Sequence, residues 1–384
     1  MAEQVLNVKP ELIRWAIERS GRSADVLARA LPKITQWESG KSRPTFRQLE
    51  RLAQKTWTPL GYFFLAEPPE ERLPVPDFRT VSDTPIRRLS PNLIDTLHTM
   101  QRRQAWMREY LLEMGHEPLA FVGSVTTSGN VDEVARNMCA ALGMADGWAS
   151  RISTWTNALS ELREAAEKAG VLVVINGVVG NNTKRKLDSA EFRGFVLSDI
   201  YAPLIFVNGS DARSAQMFTL AHELAHLWLG EGGLFNLPDL QPSAHRVEQF
   251  CNKVAAEFLV PAQELKPFWR TIRNETEPFH AIARQFKVSP IVGARRALDL
   301  SLINLSSFLE FLRAYQADER RKEARKKGGG NFYNNQNVRV GKRFARAVML
   351  AAKEGRLLYR DAYSLTGLYG ATFDKYGKEL GITA

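Results

Sequence analysis

The chain has 384 residues, 44% apolar and 24% charged, which suits two or three soluble globular domains with a real core. Two cysteines, Cys139 and Cys251, are too few for a disulfide framework and suit a reducing compartment. No stretch approaches the ~18 apolar residues of a membrane span, and the N-terminus lacks the apolar core of a signal peptide, so a membrane is not among the expected partners and the cytoplasm is the expected location. The net charge of +10 is uneven. Residues 1–65 carry eleven Lys/Arg and six Asp/Glu, and residues 311–384 carry sixteen and seven. Basic ends around a slightly acidic middle point to an anionic partner, with nucleic acid the first candidate; Arg-rich solvated helix faces are the other reading.

In chain order, residues 8–65 predict short helices, with Leu12, Trp15 and Ala16 and then Val26, Leu27 and Ala30 at helical spacing. Phe46, Leu49 and Leu52 share one face of a further helix. A Pro-rich linker spans 66–90. Helices are expected at 91–114, 131–142 and 152–169. VLVVIN (171–176), EFRGFVLSD (191–199) and APLIFVN (202–208) read as strands. NGSDARSAQMFTLAHELAHLWLG then opens with cap residues and closes on Gly230, a helix of about five turns. Further helices follow at 245–259 and 276–315. A charged, Gly-rich linker at 319–331 leads to a small basic helical segment at 332–384. The fold class is therefore α+β and mostly helical. Its expected parts are an N-terminal all-α domain (1–65), a central domain (91–318) and the C-terminal segment.

The chemistry concentrates in His222-Glu223-Leu224-Ala225-His226. Positions i and i+4 of a helix face the same way, so two imidazoles one turn apart can hold one Zn²⁺ at about 2.0–2.1 Å each. Glu223, beside the first histidine, can take a proton from an attacking water and hand it to a leaving amine. A chance match on an amphipathic helix is the bland alternative. The strand and cap before the helix, and small or apolar Ala221, Leu224, Ala225 and Trp228 within it, argue for the site. A catalytic zinc takes a third protein ligand. The next helix offers His245, Glu248, Cys251 and Glu257. Glu248, Cys251, Asn252 and Ala255 share a face, which favours Glu248, with His245 the runner-up; Glu257 falls on the opposite side as a solvated or hydrogen-bonded residue. Cys251 reads as a small buried hydrophobe.

AQMFTLAHELAHLWLG followed by VEQFCNKVAAEFLVP resembles the ImmA/IrrE metallopeptidases of bacteria and phages over roughly residues 170–300. The resemblance implies a gluzincin-like domain with zinc ligands at His222, His226 and Glu248 and a catalytic Glu223. It also implies site-specific peptidase activity inside the cell, in several members against a transcriptional repressor. LPVPDFRT is similar to a recurrent feature of long members that carry an N-terminal helix-turn-helix.

Residues 8–65 resemble an XRE-type helix-turn-helix on VLAR (26–29), ITQWESG (34–40), RPT (43–45) and Leu49, Leu52 and Ala53. By that resemblance Lys33, Thr35 and Gln36 would read base edges, and Lys41, Arg43 and Arg47 would touch phosphates. RALPKITQ is shorter than the usual motif, with Pro32 at the turn, so the recognition helix should be short. A retained fold used for dimerisation or partner binding is the other reading. ARQFKVSPIVGARRALDL (283–300) also has helix-turn-helix character but reads as core packing.

Together these readings point to a zinc-dependent endopeptidase that cuts a specific cytoplasmic protein, a repressor by the resemblance, by Glu223-assisted attack of a zinc-activated water. Duplex DNA at either basic end and a second copy of the chain are further candidate partners. The rival is a DNA-binding regulator or antitoxin-like protein whose zinc site is structural or inactive.

Overall fold

The computed structural model describes residues 6–71, 89–145, 147–235, 246–317 and 336–382. Most of the expected linkers, at 72–88 and 319–331, lie outside these, as does His245. The described residues cluster into two compact units, one formed by 6–71 with 89–98 and the other by the rest, the division falling inside one helix.

In the first unit α1 (Pro10–Arg19), α2 (Ala24–Ala28), α3 (Ile34–Glu38) and α4 (Phe46–Thr56) precede a 3₁₀ turn, Leu60–Phe64. Leu12, Ile13, Ile34, Trp37, Leu49 and Phe63 make its core. Thr45 and Gln48 form a reciprocal capping box that fixes the start of α4. The short α3, with five residues, is the consequence expected of the abbreviated RALPKITQ run.

The helix α5 (Pro91–Glu113) leads into the second unit, followed by α6 (Val131–Ala141) and α7 (Trp155–Lys168). The sheet follows: β1 (Leu172–Asn176), β2 (Val178–Val179), β3 (Asn182–Lys186), β4 (Gly194–Leu197) and β5 (Leu204–Asn208). After α8 (Arg213–Leu229) come β6 (Gly233–Phe235) and α9 (Arg246–Leu259). The main sheet has the order β1-β5-β4-β6, and β2 and β3 form a separate pair. β1 runs parallel to β5, with Leu172 opposite Leu204, while β4 is antiparallel to both β5 and β6. Every residue of β1, β4 and β5 is buried, which is why these strands read as continuous apolar runs and not as an alternation. The strand expected at 191–199 is confined to Gly194–Leu197.

The unit continues with α10 (Ala262–Ile272), α11 (Pro278–Phe286), α12 (Pro290–Asp299) and α13 (Leu305–Ala317). The turn between α11 and α12 is core packing, with Ile282, Phe286, Val288 and Val292 buried. After a π-helical turn, Asn337–Gly341, come α14 (Lys342–Lys353), α15 (Tyr359–Thr366) and α16 (Gly370–Glu379). The π turn packs beside β1. Gly341, at φ 85°, sits where a Cβ would lie 3.1 Å from the Val173 carbonyl oxygen, so close approach and backbone conformation both call for glycine. Buried Arg103 of α5 locks this segment down, donating to the carbonyls of Leu365 at 2.9 Å and Arg339 at 3.1 Å. Burial, with Arg102 nearby, lowers its pKa to about 10. No helix among the described residues is long and apolar enough to cross a membrane.

Candidate metal centre

The helix α8 carries the HExxH residues, and every side chain from Gln216 to Trp228 is buried. Its start differs from the capping expected from NGSD. The N-cap is Ala212, whose side chain caps nothing. The polar residues before it fold the preceding turn instead. Asn208 donates to the Phe192 carbonyl at 3.0 Å and accepts from the Ser210 amide, and Gln216 reaches back to the carbonyls of Gly209 and Asp211. At the other end Gly230, at φ 72°, stops the helix as the sequence suggests.

The helix α9 packs against α8 and presents Glu248 to both histidines. Nε2 of His222 and of His226 lie 3.0 Å apart. The Glu248 carboxylate bridges them, Oε2 at 3.2 Å from His222 Nε2 and Oε1 at 3.2 Å from His226 Nε2. Two donors each about 2.0–2.1 Å from a tetrahedral zinc lie roughly 3.3 Å from one another. The three donor atoms thus already stand close to that spacing, and His₂Glu is a donor set found in catalytic zinc sites. Residues His222, His226 and Glu248 are the group of potential metal ligands among the described residues.

All three are at most 1% exposed, and Glu223 is fully buried. Neither oxygen of Glu223 has a hydrogen-bond partner. A carboxylate desolvated in this way is costly unless its environment gives it a task or a counter-charge. Burial first, and then the charge of Glu248, push its pKa well up. Burial lowers that of His222 against the pull of Glu248, so its imidazole is held in the neutral form that can ligate. Glu248 itself, although burial pushes it up, is drawn below the usual carboxylate range by the two histidines. One divalent cation would neutralise this cluster.

Two neighbours were not assigned a role from the sequence. Gly194 of β4 lies under Glu223: a Cβ there would stand 2.9 Å from Glu223 Oε1 and 2.6 Å from Thr219 Cγ2. Asn252, one turn beyond Glu248, neighbours His222 and favours its charged form against that burial. Its i+4 spacing from Glu248 was the available signal; Gly194 had none, because only the folded sheet brings it to α8. Cys251 is fully buried, and burial with nearby Glu248 and Glu223 pushes its thiol up, as suits an inert hydrophobe. Glu257 does face away from the cluster, but it is not solvated: it is 9% exposed, pairs with Arg296 and accepts from the Ala262 amide at 3.0 Å.

In the first unit Lys33, Thr35, Gln36, Lys41, Arg43 and Arg47 are all exposed. Gln36 Oε1 accepts from the Ser42 hydroxyl at 3.3 Å.

Residues 166–298 match a family model described as the IrrE N-terminal-like domain, a peptidase family that is generally zinc-dependent. The match spans the sheet, both helices that carry the candidate ligands, α10, α11 and nearly all of α12. Residues 340–379 match a second model, a domain of unknown function. No curated protein matches the chain.

Proposed function

We propose that the chain is a zinc-dependent endopeptidase with a regulatory task, hydrolysing one peptide bond, or very few, in a specific cytoplasmic protein. The observation that carries this reading is Glu223. A structural zinc site needs no general base, yet a buried carboxylate with both oxygens unpartnered stands beside the ligand cluster. His222, His226 and Glu248 would hold the metal. When bound, Zn²⁺ supplies Lewis acidity, polarising the scissile carbonyl and making water a nucleophile near neutral pH. Glu223 receives the proton of the attacking water, and its raised pKa suits it to carry that proton to the leaving nitrogen.

Closure of the centre supports the narrow substrate range. With His222, His226, Glu248 and the base Glu223 each at most 1% exposed, a peptide reaches them only after local opening. Such a gate suits a protease that shares its compartment with its host's proteins. Of the segment 231–244, between the two helices that carry the candidate ligands, residues 231–235 are described, and Gly233–Phe235 form β6. By resemblance the substrate is a transcriptional repressor.

The test uses Glu223→Gln protein as a trap. It should keep one zinc per chain, retain the substrate in a pull-down and fail to cut it, while wild type cuts that protein at one or few sites. His222→Ala and Glu248→Ala should lose the metal. Rapid digestion of casein by wild type without an activator would remove the narrow specificity. A Glu223→Gln protein that cuts as fast as wild type would remove the mechanism.

A further inference from the structure

We infer that residues 342–382 form a helix-turn-helix module that docks on duplex DNA through the outer face of α16. The inference is independent of the peptidase reading. It begins with the turn. The helix α15 ends at Thr366 and is stopped by Gly367 at φ 70°, whose amide bonds the Tyr363 carbonyl at 2.8 Å. Leu368 is buried, Tyr369 is extended as the N-cap, and α16 starts at Gly370. Three residues therefore separate two helices, one of them a left-handed glycine. That is the joint that lets a second helix cross a first in DNA-binding helix-turn-helix units.

The packing agrees with this architecture. Ala362 of α15 is fully buried, and the inward residues of α16, Phe373 and Tyr376, are buried too. The Tyr363 and Phe373 rings meet at 5.2 Å. On the third helix, α14, Met349 lies 3.5 Å from where a Cβ on Gly377 would be. These three helices enclose one small core, and α15 is tethered to the rest of the unit through its last residues, Arg103 donating to Leu365 and Asn181 to Gly367.

What remains outside is the face a groove requires. On α16, Ala371, Asp374, Lys375 and Lys378 recur at helical spacing and are all exposed. Gly370 and Ala371, at its start, are small enough for the helix to approach base edges. Tyr369 is 66% exposed and Tyr359 46% exposed, leaving two phenols at the starts of α16 and α15. Tyrosine hydroxyls are among the donors used on phosphate. A helix such as α16, about 10–12 Å across with its side chains, is of a size that the major groove, about 12 Å wide, admits. The segment is basic, residues 336–382 carrying nine Lys/Arg against four Asp/Glu, while on α16 itself exposed Lys375 and Lys378 are balanced by exposed Asp374 and Glu379. Asp374 adds an acceptor suited to a cytosine amino group, so the face offers base discrimination as well as attraction.

The experiment measures fluorescence anisotropy of a labelled mixed-sequence duplex of about 30 bp with the full chain at ~50 mM salt. Lys41→Glu with Arg43→Glu serves as background, so that the first unit does not mask the result. In that background the duplex should still bind, and Lys375→Glu with Lys378→Glu should weaken binding about tenfold and flatten the salt dependence. Lys253→Glu with Arg313→Glu makes the same charge change at exposed positions elsewhere and should matter about twofold or less. Ala371→Phe leaves charge unchanged on an exposed position and should weaken binding about fivefold by steric exclusion from the groove. No binding in the background protein, equal losses at the two lysine sites and the control, an unaffected Ala371→Phe protein, or tighter binding of a single strand than of the duplex would each overturn the inference.

Discussion

Glu223 is held by what surrounds it more than by what bonds it. Its carboxylate rests against Gly194, and the position has no room for a methyl group. Gly194→Ala should therefore push Thr219 and Glu223 off their positions, costing about 1–3 kcal/mol of stability as overpacking does. Activity on the trapped substrate should fall at least tenfold with zinc content unchanged. Urea unfolding and metal analysis of the purified variant check the two parts, and a stable, fully active variant would show that the contact is idle. Glu223→Gln tests the other side of the same contact. It removes the base and leaves the ligands, so a loss of about 10²–10⁴-fold is expected at full metal occupancy. The meeting of His222 and His226 was legible in the sequence because its geometry is local: i and i+4 of one helix meet whatever the rest of the chain does. The approach of Glu248 to both histidines was legible because its helix face could be counted. Gly194 was not, since its role depends on a strand twenty-nine residues from Glu223 in the chain.

At the scale of elements, apolar strands and helices with clear stops were legible, and polar pairings were not. β3 is Asn182-Thr183-Lys184-Arg185-Lys186, mostly exposed, with no apolar alternation to reveal it. The seating of the C-terminal helices was equally hidden, because it uses Arg103 and Arg163 across separations of 236 and 174 residues. That joint also has a pH dependence. Glu167 of α7 accepts from Arg163 at 2.9 Å. Burial raises its pKa to about 7, over the opposing pull of Arg163 and of the amides that open α14. The folded form thus holds a proton that the unfolded chain has released. Stability from this group is full below the unfolded value, near 4.5, and is lost as pH rises through about 7. The loss is on the order of 3 kcal/mol at most. Urea unfolding at pH 5 and pH 8 should show it, and Glu167→Gln should remove most of the difference. An equal difference in the variant would assign it to other groups.

At the scale of the molecule, the closed centre has a consequence for how metal comes and goes. A zinc held by three side chains, each at most 1% exposed, can leave only when the protein breathes. Tightness and release rate then become separate properties, and a chelator in excess measures opening, not affinity. β6 is the element to perturb, since it pairs with β4 through Leu234 opposite Phe195, next to Gly194. Leu234→Pro should break that ladder and speed zinc loss to a chelator about tenfold, while zinc content at equilibrium stays the same. An unchanged rate would place the opening elsewhere. If the rate does change, the metal becomes a clock for the gate: partners that hold the molecule shut lengthen its residence, and whatever activates the protein shortens it.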